Sequence, residues 1–446
     1  MFLKDIIILS YKNISRNKKR SLILILAFFF GSLLISFSRF SAFGSHQIMI
    51  EYAVIDSWGY LQIASFGYFP EKNNIERALI IDEQTYKKIK HPLIKEISGR
   101  IFAYSLAAYK NDSTFVQFFS IDPVKEKKII QIHKKIKEGI YLDKAQIEEK
   151  EIETYQDGIK LKKKVKVYPA IIGRKLANKL NVKLNNIIVV TTNQFDGSTG
   201  AILIKIVGIF ETLDPILNQT TIFSIIEAGE ELTGLNTKEY QFTSIAIGVK
   251  NFLDAKEVYD DLIKVFPVPE YNGDPSKSEI FDPVIFSWKD MIPEIVNMMD
   301  LDQASAELTL GFLIMILTAG AINTLYITIH ERKKELGIML AIGTSYTTIQ
   351  FILFFELLFL VLSGLLPGLL TGMGISYYLE LNPVYLTGSF KEMTEAMGLV
   401  PVYTAIVDPK ETVIAIISMI LPIIVFSSFV LRSIKKIQPV EIIRTL

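Results

Sequence analysis

Apolar residues along this chain fall into four long blocks. Ser21 to Ser38, Leu308 to Ile329 and Thr412 to Leu431 hold no charged residue, and Thr347 to Leu379 is interrupted only by Glu356. A helix rises ~1.5 Å per residue, so about 20 apolar residues cross a hydrocarbon core ~30 Å thick. Each block meets that length, and a helix is what satisfies its own backbone inside lipid as a single segment. The pattern predicts transmembrane helices at 21–43, 306–329, 347–379 and 412–432. The long stretch 44–305 has another texture. Runs rich in Ile, Val, Phe and Tyr at 58–65, 100–109, 114–121, 186–192, 201–210 and 242–249 read as strands. Helical periodicity marks 82–90, 122–137, 173–180, 225–233 and 252–265, the last with Asn251 as its N-cap. The order of strands and helices predicts one α+β unit from 57–122 and 241–288, with 123–240 inserted as a second, β-rich part. The fold class is therefore membrane α-helical with a large α+β domain.

Charge sets the orientation. Lys and Arg gather before the first span (Lys4, Lys12, Arg16, Lys18, Lys19, Arg20), at Arg332, Lys333 and Lys334, and after the fourth (Arg432, Lys435, Lys436, Arg444), while 380–411 has only Lys391 and Lys410. By the positive-inside rule the segments 1–20, 330–346 and 433–446 are cytoplasmic, and 44–305 and the short loop 380–411 lie outside. Both termini are expected inside a multi-pass protein of the cytoplasmic membrane. Ala42-Phe43-Gly44 reads as a small-x-small cleavage site, but the apolar stretch is longer than the roughly 7–15 residues of a signal peptide, and Arg39 precedes it; an uncleaved anchor is expected. The net charge of +1 gives no reason to expect nucleic acid. With no Cys there is no disulfide framework and no lipidation site. The charged run 143–166 reads as a solvated insertion or hairpin, with anionic headgroup binding as the alternative.

The sequence has no GxxxxGK[ST], GxSxG or HExxH, and its four His lack metal-ligand spacing. No catalytic centre and no metal site are expected, so an energy source must be another subunit or a gradient. Three places carry candidate function. The segment His330 to Gly343 reads as a short amphipathic helix, with Glu331 and Glu335 one turn apart, as are Leu336 and Leu340. A cytosolic partner could grip its charged face and apolar tip; a plain positive-inside loop is the other reading. Glu356 and Asn323 lie at similar depth in their spans, and a hydrogen bond between them is expected, since an ionisable group in lipid is costly and turns toward protein. Gly364, Pro367, Gly368, Gly372 and Gly374 mark a face where the third span approaches a neighbour closely. Ser15 to Arg20 reads as an interfacial elbow.

At these residues the sequence resembles the permease subunits of the MacB-like ABC transporter superfamily, and within it the LolC/LolE-type lipoprotein-releasing permeases. Leu9 to Arg20 resembles the family's basic entry to span one. Glu331-Arg332, Glu335, Gly337, Ala341 and Gly343 resemble its coupling helix. Gln438-Pro439-Val440-Glu441 with Arg444 resembles its C-terminal motif. Gly59 to Ile63 followed by Gly67-Tyr68, then Asp122-Pro123, Gly139-x-Tyr141-Leu142 and Ile172-Gly173, are similar to the outer domain of lipoprotein-release permeases.

The resemblance implies a ferredoxin-like porter part and a sabre part in the outer domain. It implies a permease subunit, not an enzyme, paired with a second permease in a homo- or heterodimer. ATP and Mg would be held by a separate cytosolic ABC ATPase dimer, and this chain would bind no cofactor. The ATPase would push on Glu331, Arg332, Lys334, Glu335, Leu336, Gly337, Leu340, Ala341 and Gly343. A lipoprotein would enter from membrane lipid past Phe37, Phe40 and Phe43 on span one and Leu310, Phe312 and Met315 on span two, then leave to a periplasmic lipoprotein carrier. Ordinary packing or lipid contact is the other reading of those six. One departure is clear: Thr192 to Ala201 is too short for the carrier-recruiting hairpin of LolC-type subunits and reads as a turn at Asp196-Gly197, which points to a LolE-like subunit or to a carrier recruited elsewhere. The alternatives are a MacB-like subunit of a tripartite efflux pump and an FtsX-like transmitter acting on a cell-wall hydrolase.

Overall fold

The computed structural model describes residue 10 and residues 18–69, 75–156, 159–250, 254–271, 273–275, 280–397 and 399–436. The chain divides into two compact units. One comprises Met1–Gln47, Asn297–Leu386 and Val402–Leu446; the other comprises Ile48–Val296 and Thr387–Pro401.

The first unit is helical. Its elements are α1 (Lys18–Ala53), α2 (Pro293–Glu331), α3 (Lys333–Ala341), α4 (Tyr346–Leu381) and α5 (Pro409–Arg432). All but α3 are long and apolar enough to cross a membrane. Helices α1 and α4, of 36 residues, and α2, of 39, are each ~54–59 Å long, well beyond the hydrocarbon core. The edges expected at 43 and 306 are therefore not where the helices end: polar residues continue α1 to Ala53 and start α2 at Pro293. His46 of α1 meets Asp302 of α2 at 2.9 Å in these extensions. Asp408 caps α5, accepting from the backbone N–H of Lys410 and Glu411, with Pro409 next to it. The helices share a core of Phe28, Ile35, Leu325, Ile349, Leu353, Val361 and Met419.

In the second unit, strands Pro283–Ser287, Leu61–Ser65, Ser244–Val249 and Ile94–Tyr109 lie side by side in that order, all antiparallel. With helices Glu83–Lys87 and Asp254–Leu262 this is a β-α-β-β-α-β arrangement with the ferredoxin-like strand order. The core between helices and sheet holds Leu61, Ile63, Ile247, Val258 and Leu262. Asn251, the expected cap of the second helix, lies outside the described residues.

The long strand Ile94–Tyr109 runs on out of this sheet and forms a hairpin with Asp112–Ile121. Thr221–Ile225, Ile159–Gly173, Thr199–Phe210 and Ile136–Gly139 follow across the sheet, and Ile187–Asn193 bridges back to Ile94–Tyr109. Phe118, Phe119, Tyr168, Phe210, Phe223 and Leu232 fill this second core. The segment 143–166 contributes a hairpin of Glu148–Gln156 with Ile159–Gly173. The turn at 194–198 is compact: Gln194 N–H donates to the Ser198 carbonyl at 2.7 Å, and Gly197 takes φ +82°.

The helix expected at 122–137 is a correction. It stops at Glu126 after one turn from Pro123, becomes a 3-10 turn at Ile132–Lys135 and then a strand. The cause is Glu126, wholly buried on Arg100: Nε and Nη2 of Arg100 donate to its two carboxylate oxygens at 2.8 Å each. Ile130 and Ile132 then enter the core, which a continuing helix face would not allow. Beyond α1 a wide turn, Val54–Trp58, is tied into the same place. The Trp58 carbonyl accepts from Arg100 Nη1 at 2.8 Å and Gln62 Nε2 at 2.7 Å. Asp56, buried, lies 3.8 Å from Lys135 Nζ. The short helix Gly388–Ala396 belongs to this unit and is held by a Glu395–Lys175 ion pair.

Candidate functional site

Helix α2 ends at Glu331 because Arg332 leaves the helical conformation, and α3 begins one residue later. Helix α3 closes with a Schellman turn. Thr344 N–H donates to the Met339 carbonyl at 2.9 Å and Gly343 N–H to the Leu340 carbonyl at 3.1 Å, with Gly343 at φ +95°. Residues 331–343 are thus a helical elbow with a defined start and stop.

Arg332 organises that elbow. Its Nε donates to Glu335 on α3 and its Nη1 to Glu356 on α4, both at 2.9 Å. One half-buried guanidinium thereby joins the loop helix to the acid inside the third span. The expected Asn323–Glu356 hydrogen bond is not made: Asn323 is exposed, and Glu356 turns to Arg332. Depth along the two helices was similar, but rotation about the α2 axis points Asn323 away.

The faces of α3 also differ from expectation. Leu336 is buried at 1 % exposure and packs in the span core, with Leu340 half-buried against it. Gly337 is buried beneath. Neither leucine forms a free apolar tip. That tip is Ile338 and Ile342, exposed by 50 % and 78 % and one turn apart. The i, i+4 spacing was visible in the sequence; which of two apolar pairs is covered was not. Glu331, Lys334, Ala341 and Gly343 are exposed around this tip.

Of the opening motif, residues 9 and 11–17 lie outside the described residues, and so do 438–444. Ser10 Oγ donates to the Ile352 carbonyl of α4 at 3.0 Å.

The six residues expected along an entry path separate. Phe40 is buried, Phe37 is half-buried, and Phe312 and Met315 face outward with 61 % and 57 % exposure. Of the six, Phe43 and Leu310 line one cavity of about 100 Å³ with Arg39, His46, Glu307 and Glu411. Arg39 is paired within the same cavity: its Nε and Nη2 donate to Glu411 Oε2 at 3.0 and 2.8 Å.

Helices α1 and α4 pack through small residues. A Cβ at Gly364 would meet the Ile25 carbonyl oxygen at 2.3 Å, one at Gly368 the Ser32 Oγ at 2.0 Å, and one at Gly372 the Ser36 Oγ at 2.1 Å. Ser32 Oγ donates across the seam to the Leu365 carbonyl at 3.1 Å. Gly374 is outside the contact, with open space around it.

Residues 308–439, which include most of α2, the elbow and α4–α5, match the model of the FtsX-like permease C-terminal domain. An uncharacterized ABC transporter permease of Methanocaldococcus jannaschii is 26 % identical over 216 residues, 48 % of this chain and 49 % of that protein. The chain thus spans about half the length of the curated relative it matches. Two solved structures are also matched. The extracellular domain of YknZ, a noncanonical ABC-type transporter from Gram-positive bacteria, has TM-score 0.26 at 12 % identity, covering 46 % of this chain and 91 % of that one. The periplasmic region of MacB from Actinobacillus actinomycetemcomitans has TM-score 0.30 at 12 % identity, covering 56 % and 98 %. The matched residues 308–439 contain both the elbow and the seam-forming α4.

Proposed function

We propose that this chain is the permease subunit of an ATP-driven ABC transporter that extracts acylated lipoproteins from the outer leaflet of the cytoplasmic membrane and passes them to a periplasmic carrier. The observation that carries the reading is the Arg332 fork. A load applied to α3 reaches α4 through two charge-assisted hydrogen bonds of 2.9 Å rather than through a slack loop. In this reading the elbow is the cytoplasmic coupling helix, with termini on the same side. An ATPase dimer holding ATP and Mg docks on Ile338, Ile342 and the charges around them. A second permease completes the transporter. Residues 57–122 with 241–288 act as the porter part and 123–240 as the sabre part. The lipoprotein assignment is supported by the outer-domain motifs that resemble lipoprotein-release permeases.

The test is purification of the full chain from its native membrane, with mass spectrometry of bound proteins and their acyl groups. Recovery of an ATPase together with acylated lipoproteins that leave on addition of ATP is the expected result. An ATPase with an adaptor protein or a cell-wall hydrolase, and no lipoprotein, overturns the cargo and favours the pump or the transmitter.

A further inference from the structure

Where the apolar stretches of α1, α2 and α5 end, their side chains enclose the cavity of about 100 Å³ described above. Pockets for drug-sized ligands run to ~300–1,000 Å³, so this one suits a small polar head. Its wall has an apolar side, Phe43 and Leu310, and a polar side, Arg39, His46, Glu307 and Glu411. The charges of the polar side do not cancel. Arg39 is neutralised by Glu411. His46 meets Asp302, at 2.9 Å. Glu307 has only an amide: its Oε1 accepts from Gln303 Nε2 at 2.9 Å, and among the described residues no basic side chain pairs with it.

One surplus carboxylate thus stands at the edge of the uncharged stretches, the level of lipid headgroups. Beside it on α2, Leu308 and Phe312 expose 69 % and 61 % of their surface, as residues facing acyl chains do. We propose that this cavity binds the headgroup of an aminophospholipid, with its primary ammonium on Glu307, its phosphate toward the remaining N–H groups of Arg39, and its acyl chains along α2. A primary ammonium offers three donors to a carboxylate and the Gln303 amide oxygen. A trimethylated head offers none, and an anionic head without an amine brings like charge against Glu307. The inference needs only that the chain spans a membrane, not that it moves any cargo.

The experiment reconstitutes the full chain in bilayers of equimolar phosphatidylethanolamine, phosphatidylcholine and phosphatidylglycerol. Lipid retained after mild detergent extraction is counted by native mass spectrometry. Phosphatidylethanolamine should be retained over phosphatidylcholine by about tenfold or more, the value of one charge-assisted hydrogen bond. Glu307→Gln should abolish the preference and Glu307→Asp keep it; Glu307 is exposed, so both variants should fold. Glu294→Gln, on the same helix but outside the cavity, should change nothing. Equal retention of the two lipids, a preference for phosphatidylglycerol, or an undiminished preference in Glu307→Gln overturns the site.

Discussion

Replacing Glu126 by Gln tests the most deeply buried charge pair among the described residues. Arg100 and Glu126 are 1 % and 0 % exposed, and the guanidinium makes three hydrogen bonds of 2.8 Å, two to Glu126 and one to the Trp58 carbonyl. With Glu126 neutral, a guanidinium stays in a dry core with no counter-charge, which costs about 3–5 kcal/mol. Removing both charges is a different matter. Arg100→Met with Glu126→Leu strands no ion, and the Trp58 carbonyl keeps its bond from Gln62 at 2.7 Å. The double variant should therefore lie within ~1–2 kcal/mol of the parent, with a coupling between the sites of at least ~2 kcal/mol. The assay is built in. The chain has two Trp, and Trp58 and Trp288 both lie in the sheet-containing unit, so denaturant unfolding of the full chain in detergent, followed by tryptophan fluorescence, reports that unit. A Glu126→Gln variant within ~1 kcal/mol of the parent, or a double variant that loses the sum of the singles, refutes the reasoning.

The elbow makes its own demands. Arg332→Ala or Glu356→Gln should lower the stimulation of the partner ATPase about tenfold, as expected for the loss of a coupling contact, while Asn323→Leu leaves it unchanged; ATPase rates with reconstituted partners decide. Ile342→Asp should weaken ATPase docking ~10-fold or more, measured by titration, if the exposed tip is the anchor. Gly368→Ala puts a Cβ 2.0 Å from Ser32 Oγ and 2.2 Å from the Phe29 carbonyl oxygen. It should cost about 1–3 kcal/mol in thermal stability, against no loss, or a gain of up to about 1 kcal/mol, for Gly374→Ala. Asp56, beyond the apolar stretch of α1, is pushed by burial from the ordinary 3.8 up to about 6, partly offset by Lys135. The folded chain then holds more protons than the unfolded chain between these values, so stability falls as pH rises from about 4 to about 6, by up to roughly 3 kcal/mol. Asp56→Asn should flatten that profile in the same fluorescence assay.

The four spans and the main strands were legible because each repeats one signal many times: an uncharged block, or a β-branched and aromatic run. What escaped was set by single long-range contacts. Nothing local to 122–137 says that Glu126 must meet Arg100, 26 residues earlier, and end the helix. Depth along a span could be counted from its end, so Asn323 and Glu356 were placed at one level. Which way each side chain turns about its axis depends on neighbours, and Arg332 reaches Glu356 first. The apolar stripe of α3 was visible too, but periodicity gives a face, not its cover, and so Leu336 was read for Ile342. Arg39 and Glu411 are 372 residues apart, and no spacing rule connects them.

The seam between α1 and α4 has translational symmetry. Phe28, Ser32, Ser36 and Phe40 follow one another at four-residue intervals, and so do Gly364, Gly368 and Gly372 opposite. Moving one helix past the other by four residues, ~6 Å, lays serine on glycine again. The Ser32–Leu365 hydrogen bond is then exchanged for one made by a residue of the same kind. The contact thus behaves as a detent with evenly spaced stops: it resists small slips sterically and re-forms, nearly unchanged, one helical turn away.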